Sequence, residues 1–287
     1  METILFPTDF AESTTDALNW ARLFARHYNA LLVLVHVQPT AVSNATLPVA
    51  GELGMGAGAV MDVNTESTSR DQLTALADQL RGEGLTCQID LRRGAVKDAI
   101  LSAAGEHNAD LIITGRSHLN NFFERIAGTA ATGIARGANC PVLVVPTGDT
   151  ETATQAVQPQ VIVFTTPLEF DQQKGFSQAV DMARSFGATL RVLHVRAENQ
   201  PNINDDESML RQLQAVYGPD PLLVDTVEAR TVSGGIETYL SANPADLLVM
   251  TTRERDFLSG LLNPSLTSRM MVLVDLPVLV FQAETNM

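Results

Sequence analysis

Apolar residues occur along the chain in two kinds of pattern. Short continuous apolar runs such as "ILFPT", "ALLVLVHV", "DLIIT" and "PVLVVP" are typical of strands that are buried on both faces of a parallel sheet. Between them lie longer segments with helical spacing, as in "AESTTDALNWARLFARHY", where Ala17, Trp20, Ala21 and Phe24 share one face. This alternation predicts β-α-β units with helices on both faces of the sheet and right-handed crossovers.

The middle of the first half continues the same alternation. "STSRDQLTALADQLRGEG", from Ser67 to Gly84, predicts a helix with a glycine-rich stop. The strand "TCQIDLRRG" and the helix "AVKDAILSAAGEHN" follow it. The preceding stretch "ATLPVAGELGMGAGAVMD", from Ala45 to Asp62, is rich in Gly and Ala, and we expect a mobile loop there.

The chain repeats itself. The segment from Ile4 to Val37 aligns with 162–195 after a shift of 158 residues, and the segment from Ala109 to Val145 aligns without gaps with 245–281. A repeat of roughly 140 residues suits a domain duplication rather than a solenoid. We therefore predict a first domain at 1–147, a polar Thr- and Gln-rich linker at 148–160, and a second domain at 161–284.

Composition and charge exclude several classes of protein. The chain has 287 residues, a formal net charge of -14 and 45% hydrophobic residues, which is typical of a globular protein. The negative charge argues against binding to nucleic acid or to an anionic membrane, because both need clustered Lys and Arg. No apolar run has the length of a membrane span, and the N-terminus has no signal-like region. Two cysteines without ligand spacing suit a reducing compartment, so we expect a cytoplasmic protein.

The segment "GRSHLNNFFERIAGT", from Gly115 to Thr129, carries the main candidate chemistry. Glycines at a strand end let bare backbone N–H groups approach phosphate oxygens, but His118 stands in the middle of this loop. Gly115 could equally serve only as a strand-end turn. The sequence contains no G-x4-GK[ST] loop, no G-x-S-x-G elbow and no HExxH motif. We identify no catalytic set of residues and predict that the protein is not an enzyme, with weak ATP hydrolysis as the upper limit.

Several separated motifs resemble the universal stress protein family. They are "PTD" after the first strand, "LVHV" closing the second, "ADLIITG" with the loop behind it, and "CPVLVVP". The resemblance covers nearly the whole chain. It implies two tandem, doubly wound parallel-sheet domains of the Rossmann-like, adenine nucleotide alpha hydrolase-like type, which pair through their last strands as an intramolecular pseudo-dimer.

The resemblance also implies where a nucleotide would bind. Members that bind ATP carry a G-x2-G-x9-G-[ST] loop and an Asp after the first strand. On this chain Gly115, Gly128 and Thr129 match the loop, while His118 replaces its second glycine. Asp9 matches the base-proximal Asp, although it could instead cap the helix that begins near Glu12. The predicted nucleotide-binding residues are Thr8, Asp9, Val37, Gly115, Arg116, His118, Gly128, Thr129 and Ala130.

His118 leaves two opposite outcomes open. Its ring could fill the pocket and exclude a triphosphate, or its imidazole could donate to a phosphate, most strongly when protonated. The second domain departs further from the loop, because Thr251, Glu254 and Pro264 replace Gly115, His118 and Gly128. A further replacement and one matching residue complete the comparison: Pro167 stands where Asp9 does, and Ser265 stands opposite Thr129. We expect no nucleotide in the second domain, although another ligand could use the strand ends.

Two functions therefore stay open. The first is an adenine-nucleotide sensor that binds ATP or AMP in the first domain, with Mg²⁺ only if the nucleotide is ATP. The second is a ligand-independent scaffold of the same fold that acts through a protein partner. A homodimer of the tandem chain is expected in either case, and no metal site is. His36 and His194 occupy equivalent positions, which indicates a shared packing role, and Cys87 and Cys140 are expected to be small buried residues.

Overall fold

The structure is a computed structural model that describes residues 1–11, 14–38, 57–116, 130–147, 158–166, 173–198, 206–252 and 266–282. Of residues 57–65, 206 and 252 it describes the backbone alone. Within these ranges the chain is an alternation of strands and helices, as the apolar pattern predicts.

The described part of the first domain alternates five strands with four helices. The strands are β1 (Thr3–Pro7), β2 (Leu31–Gln38), β3 (Cys87–Arg93), β4 (Leu111–Arg116) and β5 (Val142–Pro146). The helices are α1 (Thr15–Tyr28), α2 (Ala57–Gly82), α3 (Val96–Glu106) and α4 (Ala130–Gly137).

The described part of the second domain repeats this order. Its strands are β6 (Val161–Thr166), β7 (Thr189–Ala197), β8 (Leu223–Ala229), β9 (Leu247–Thr252) and β10 (Val278–Gln282). Its helices are α5 (Gln173–Phe186), α6 (Asp206–Tyr217), α7 (Val232–Ala242) and α8 (Leu266–Leu273).

The two domains share one ten-stranded sheet, in the order β3-β2-β1-β4-β5-β10-β9-β6-β7-β8. All neighbours within a domain are parallel, and β5 pairs with β10 antiparallel. Leu143 lies opposite Leu279, its own equivalent after the shift of 136 residues. The pairing is therefore symmetric about this point, and the fold is the tandem pseudo-dimer that the resemblance implies.

The hydrophobic core lies in two layers, one on each face of the shared sheet. One layer joins α1, α2, α5 and α6 to the sheet, and the other joins α3, α4, α7 and α8. Each layer runs through both domains, because the apolar side chains of β5 and β10 continue it across the junction. The free thiols follow this arrangement: Cys87 is buried in the first layer, and Cys140 is half-buried beside the second.

Aromatic contacts between α1 and α5 add to the domain junction. The ring of Phe186 stacks on that of His27, with centroids 3.9 Å apart, and lies 5.2 Å from that of Phe24. The Tyr28 hydroxyl and the Ser185 hydroxyl are within hydrogen-bond distance at 2.9 Å. Burial raises the pKa of Tyr28. The junction thus combines a strand pair with a packed aromatic cluster.

Two element boundaries differ from the sequence-based prediction. The helix α2 begins at Ala57, so the end of the expected loop is helical. Ala and Met are strong helix formers, and extending an existing helix is much easier than nucleating one, which outweighs the nearby glycine. The strand β4 extends through Gly115 to Arg116, beyond the apolar run. Among the described helices, none has both the length and the apolar character needed to cross a membrane.

Candidate functional site

The order of strands creates a switch point in the first domain between β1 and β4. From β1 the chain first adds β2 and β3 on one side, and then β4 and β5 on the other. Loops leave a parallel sheet in opposite directions at such a point, and the crevice beyond the carboxyl ends of the strands is where ligands bind in this architecture. Thr8 and Asp9 directly follow β1, and Gly115 and Arg116 end β4.

The turn after β1 holds Asp9 in a defined place. The buried Thr8 donates its backbone N–H to the Val35 carbonyl at 2.8 Å, and its hydroxyl oxygen accepts from the Phe10 N–H at 3.0 Å. Asp9 is exposed, and its Oδ1 accepts from the Ala11 N–H at 3.0 Å. Asp9 does not cap α1, which begins later and has Thr14 as its N-cap residue. The helix-cap interpretation of Asp9 is therefore wrong.

Phe10 is a feature of this turn that the sequence analysis missed. Its backbone has a φ of 62°, in the left-handed region that a bulky side chain seldom adopts. Its ring lies 4.6 Å from the His36 ring, between centroids. The "TD" that precedes Phe10 is the available signal, because short polar side chains accept hydrogen bonds from backbone N–H groups two residues on. The turn thus fixes an aromatic ring beside Asp9.

His36 and His194 have equivalent structural roles. Nδ1 of His36 lies 2.8 Å from the Thr8 carbonyl, and Nδ1 of His194 lies 3.1 Å from the Thr166 carbonyl. Because a carbonyl oxygen can only accept, each Nδ1 carries the proton. Each ring therefore ties the end of one strand to its neighbour, which is the shared packing role expected from the repeat.

Gly115 and its equivalent Thr251 show how the two strand ends differ. The Thr251 side chain packs against α5, where a Cβ placed on Gly175 would lie 2.5 Å from the Thr251 Cγ2. The equivalents in the first domain are reversed in size, with Ala17 on the helix and Gly115 on the strand. At this contact the second domain therefore has the larger residue on the strand, whereas the first domain has it on the helix. Thr251 Oγ1 is buried and has no hydrogen-bond partner among the described residues.

Of the other predicted site residues, the structure describes Val37, Arg116 and Ala130 and does not describe the rest. Val37 is buried on β2, and Ala130 is exposed at the start of α4. Arg116 is buried, and its guanidinium donates to carbonyls of the second domain rather than lying exposed at the strand ends. The remaining loop residues of both domains lie outside the described residues; they are His118, Gly128, Thr129, Pro167, Glu254, Pro264 and Ser265.

Acidic partners neutralise the pair of arginines at the end of β3. Arg92 donates to Asp90 at 2.8 Å and to both Glu106 oxygens, at 2.9 and 2.6 Å. The hydrogen bond from Arg92, with a second from Ser102, lowers the pKa of Glu106 to about 2. Arg93 forms an ion pair with Glu66 at 2.6 Å. This pair belongs to a surface network of charges and adds little positive charge at the strand ends.

The second domain has a cleft at the carboxyl ends of β7 and β8. Its volume is about 430 Å³. The lining residues are Arg196, Ala197, Glu198, Glu228, Ala229 and Arg230. Two carboxylates balance two guanidinium groups, so the cleft has no excess of positive charge for a phosphate. It also lies away from the switch point of this domain, which is between β6 and β9.

Comparisons with known proteins cover both domains. A model of the universal stress protein family matches residues 1–146 and 160–282. A universal stress protein of Synechocystis sp. is 22% identical over 147 residues, which are 50% of this chain and 96% of that protein. The crystal structure of a universal stress protein from Archaeoglobus fulgidus has a TM-score of 0.72 and 15% identity, and it covers 99% of this chain and 97% of its own. A functionally unknown protein from Pseudomonas aeruginosa PAO1 has a TM-score of 0.66 and 20% identity over 99% and 93% of the two chains.

Proposed function

Because the chain belongs to the universal stress protein family along both halves, we propose that it is a stress-response protein whose first domain senses an adenine nucleotide, ATP or AMP. The observation that carries this proposal is the convergence of Thr8, Asp9 and Gly115 at the switch point between β1 and β4. The proposal is for binding without catalysis. Mg²⁺ takes part only if the nucleotide is ATP.

Each residue of the first-domain set has a chemical role in this proposal. The Asp9 carboxylate accepts hydrogen bonds from the adenine amino group or from a ribose hydroxyl. Val37 at the end of β2 offers apolar contact to the base. Gly128 and Thr129 give a backbone N–H and a hydroxyl to the phosphates, at the point where the helix α4 begins with Ala130. The positive end of that helix dipole favours a phosphate at this place.

The second domain is proposed to bind no nucleotide. Glu254 and Pro264 would place a negative charge and a missing N–H donor opposite the phosphates. Thr251, whose side chain packs against Gly175, also replaces the glycine whose bare backbone could approach a phosphate. The second domain therefore contributes to the protein in another way than by binding a second nucleotide.

Ligand analysis and calorimetry test the proposal directly. Small molecules released from the denatured protein are identified by mass spectrometry, and ATP and AMP are titrated at pH 6 and pH 8. We expect Thr129→Ala and Asp9→Ala to weaken binding, because each removes a polar contact. Ser265→Ala is the matched control, since it makes the equivalent change in the second domain. If Ser265→Ala weakens binding as much as Thr129→Ala, the site lies elsewhere.

The two pH values also separate the two roles of His118. An imidazolium that donates to a phosphate makes binding tighter at pH 6, since the ordinary pKa of histidine is about 6.5. His118→Ala removes that difference and weakens binding. If the ring instead obstructs the site, His118→Gly restores the second glycine of the loop and tightens binding at both pH values.

The alternative is a ligand-independent scaffold. One observation favours it. In the second domain Thr251 on the strand faces Gly175 on the helix, and in the first domain the equivalents are Gly115 and Ala17. Packing between strand and helix can therefore explain the glycine at 115 without a nucleotide. No released nucleotide, together with no heat of binding at either pH, would reject the sensor and leave the scaffold. The protein would then be studied through the partners that co-purify with it.

Association of two chains is part of the proposal. The edges of β5 and β10 are already paired with each other, so a homodimer of the tandem chain uses another surface. Sedimentation equilibrium measures the mass in solution. A mass equal to that of one chain at micromolar concentration would reject the homodimer without affecting nucleotide binding.

A further inference from the structure

Arg116 connects the two domains at the place where the chain enters the candidate nucleotide loop. Its Nη1 donates to the Met271 carbonyl at 2.8 Å and also to that of Val272, and its Nη2 donates to the Val274 carbonyl at 3.2 Å. The side chain is only 7% exposed. Arg116 is also the last residue of β4, directly before residues 117–129. One side chain thus links the carboxyl end of β4 to the second domain.

Two of the acceptors, the Met271 and Val272 carbonyls, lie in the last turn of α8, and the third, that of Val274, directly follows the helix. These groups have no partner within a helix, and they carry the negative end of its dipole. The last turn of α8 contains no basic residue, whereas the equivalent helix α4 has Arg136 in its last turn. The internal alignment pairs Arg136 with Val272 and Arg116 with Thr252. The carboxyl end of α4 therefore has a cation of its own, Arg136, whereas the cation at the carboxyl end of α8 is Arg116 of the first domain.

Another side-chain hydrogen bond crosses the junction, with its donor in the second domain and its acceptor in the first. Gln282, at the end of β10, donates to the Ala135 carbonyl of α4 at 2.8 Å. Ala135 is the equivalent of Met271, so both helix ends accept a bond from the partner domain. The Gln282 contact is neutral, whereas the Arg116 contacts are charged, and only Arg116 adjoins a candidate nucleotide loop. The junction is therefore asymmetric in charge although its strand pairing is symmetric.

The backbone of Arg116 is fixed together with its side chain. The Thr147 N–H and hydroxyl donate to the Arg116 carbonyl at 3.2 and 2.9 Å. Arg116 also pairs in register with Pro146 of β5, the strand at the domain junction. A shift of α8 relative to the first domain would therefore displace Arg116, the residue that follows Gly115.

We propose that Arg116 is a positioning residue through which the second domain fixes the carboxyl end of β4, beside Gly115, so that the first-domain site depends on the second domain. This inference rests on the proposed nucleotide binding by the first domain. It gives the second domain a role in that binding without a nucleotide of its own. By the reciprocity of coupled equilibria, a nucleotide bound in the first domain must also stabilise the α8 end through Arg116.

The test uses the full chain and three variants. Arg116→Met removes the donors and the charge, Arg116→Lys restores the charge, and Gln282→Met removes the interdomain hydrogen bond to the Ala135 carbonyl. ATP affinity is measured by calorimetry, and backbone amide exchange is followed for 111–129 and 266–274 with and without ATP. Unfolding midpoints in urea separate loss of binding from loss of fold. If Arg116→Met does not fold, Arg116→Gln, which keeps N–H donors without the charge, replaces it.

The expected result is at least a tenfold loss of ATP affinity in Arg116→Met, partial recovery in Arg116→Lys, and no change in Gln282→Met. ATP slows exchange in 266–274 of the unaltered chain and of Gln282→Met, but not of Arg116→Met. Unchanged affinity in Arg116→Met, with ATP still protecting 266–274, overturns the inference.

A failure of the proposed function is distinguishable from a failure of this inference. If the unaltered chain binds neither ATP nor AMP, the proposed function fails. Backbone amide exchange measured without nucleotide then tests the role of Arg116. Faster exchange in 111–129 of Arg116→Met, and not of Gln282→Met, then supports Arg116 as the residue that positions the carboxyl end of β4. Faster exchange confined to 266–274 makes Arg116 only a cap of α8 and overturns the inference.

Discussion

The contact between Gly175 and Thr251 predicts the effect of a single methyl group on the stability of the second domain. A Cβ on Gly175 would lie 2.5 Å from the Thr251 Cγ2 and 3.4 Å from the Phe281 Cβ. Carbon atoms pack at about 3.5–4.0 Å, so Gly175→Ala overpacks this site at roughly 1–3 kcal/mol. Alanine recovers at most about 1 kcal/mol of helix propensity. We therefore expect a net loss of about 1 kcal/mol in the free energy of unfolding, the middle of a range of roughly 0–2 kcal/mol.

Thr251→Ser makes the prediction specific, because it removes the methyl group and keeps the hydroxyl. Alone it is expected to lower stability by about 1 kcal/mol, the usual effect of deleting one buried methyl group. In the double variant the new Cβ of Gly175→Ala occupies the space of the lost methyl. We expect the double variant to unfold within about 0.5 kcal/mol of the unaltered chain, which is a coupling of roughly 2 kcal/mol between the two sites.

Equilibrium unfolding in urea, followed by circular dichroism, measures all four chains of this cycle. Gly105→Ala in α3 is the matched control, since a Cβ there would meet no atom within 4 Å. That variant reports helix propensity without overpacking and is expected to gain up to about 1 kcal/mol. If Gly175→Ala is as stabilising as Gly105→Ala, or if the two changes of the cycle simply add, the packing argument is refuted.

Three further predictions concern charge, thiol chemistry and close packing. The hydrogen bond from Arg92 lowers the pKa of Glu106 to about 2, so its contribution to stability is present above the unfolded value of about 4.5 and is lost as pH falls towards 2. The stability lost in Glu106→Gln is therefore expected to shrink between pH 5 and pH 2 in urea titrations, and a constant difference would contradict this. Burial raises the pKa of Cys140 to about 11, so alkylation at pH 8, followed by peptide mass spectrometry, is expected to be slow until the chain is unfolded. Rapid labelling of native Cys140 would be inconsistent with that environment. Gly235→Ala would place a Cβ 2.4 Å from a methyl group of Val195 and is expected to lower the free energy of unfolding by roughly 1–3 kcal/mol; an unchanged urea midpoint would contradict it.

The fold could be predicted from the sequence because its signals are local or repeated. Each buried strand is a continuous apolar run, and the repeat shows that one unit occurs twice. Pairing through the last strands is what the family resemblance implies, and the apolar character of these strands agrees with it, since a free apolar edge invites pairing. The start of α2 could not be predicted in the same way, because Gly58 and its neighbours indicate a loop locally while the 26-residue helix extends through them.

The candidate site was less predictable, because its contacts join distant parts of the chain. The positions of Thr8 and Asp9 follow from β1, whose carboxyl end is visible in the sequence. Arg116 beside a glycine of the loop suggests a phosphate contact, whereas one of its acceptors, the Met271 carbonyl, lies 155 residues away. The exchange of sizes between Gly115 and Thr251 is visible in the repeat, but its packing meaning depends on which helix lies against the strand.

A duplicated domain in one chain permits an asymmetry that a symmetric homodimer cannot have. In a homodimer, an arginine at the position of Arg116 occurs twice, and so does the residue at the helix end that it contacts. Here Arg116 occurs once. It contacts a helix, α8, that has Val272 at the position where the equivalent helix of the first domain has Arg136. The pairing of Leu143 with Leu279 requires the last strand in both domains, but it leaves the strand ends free to differ. Under the proposal that Arg116 positions the end of β4, the second domain acts on the first-domain site through one buried cation and needs no nucleotide of its own.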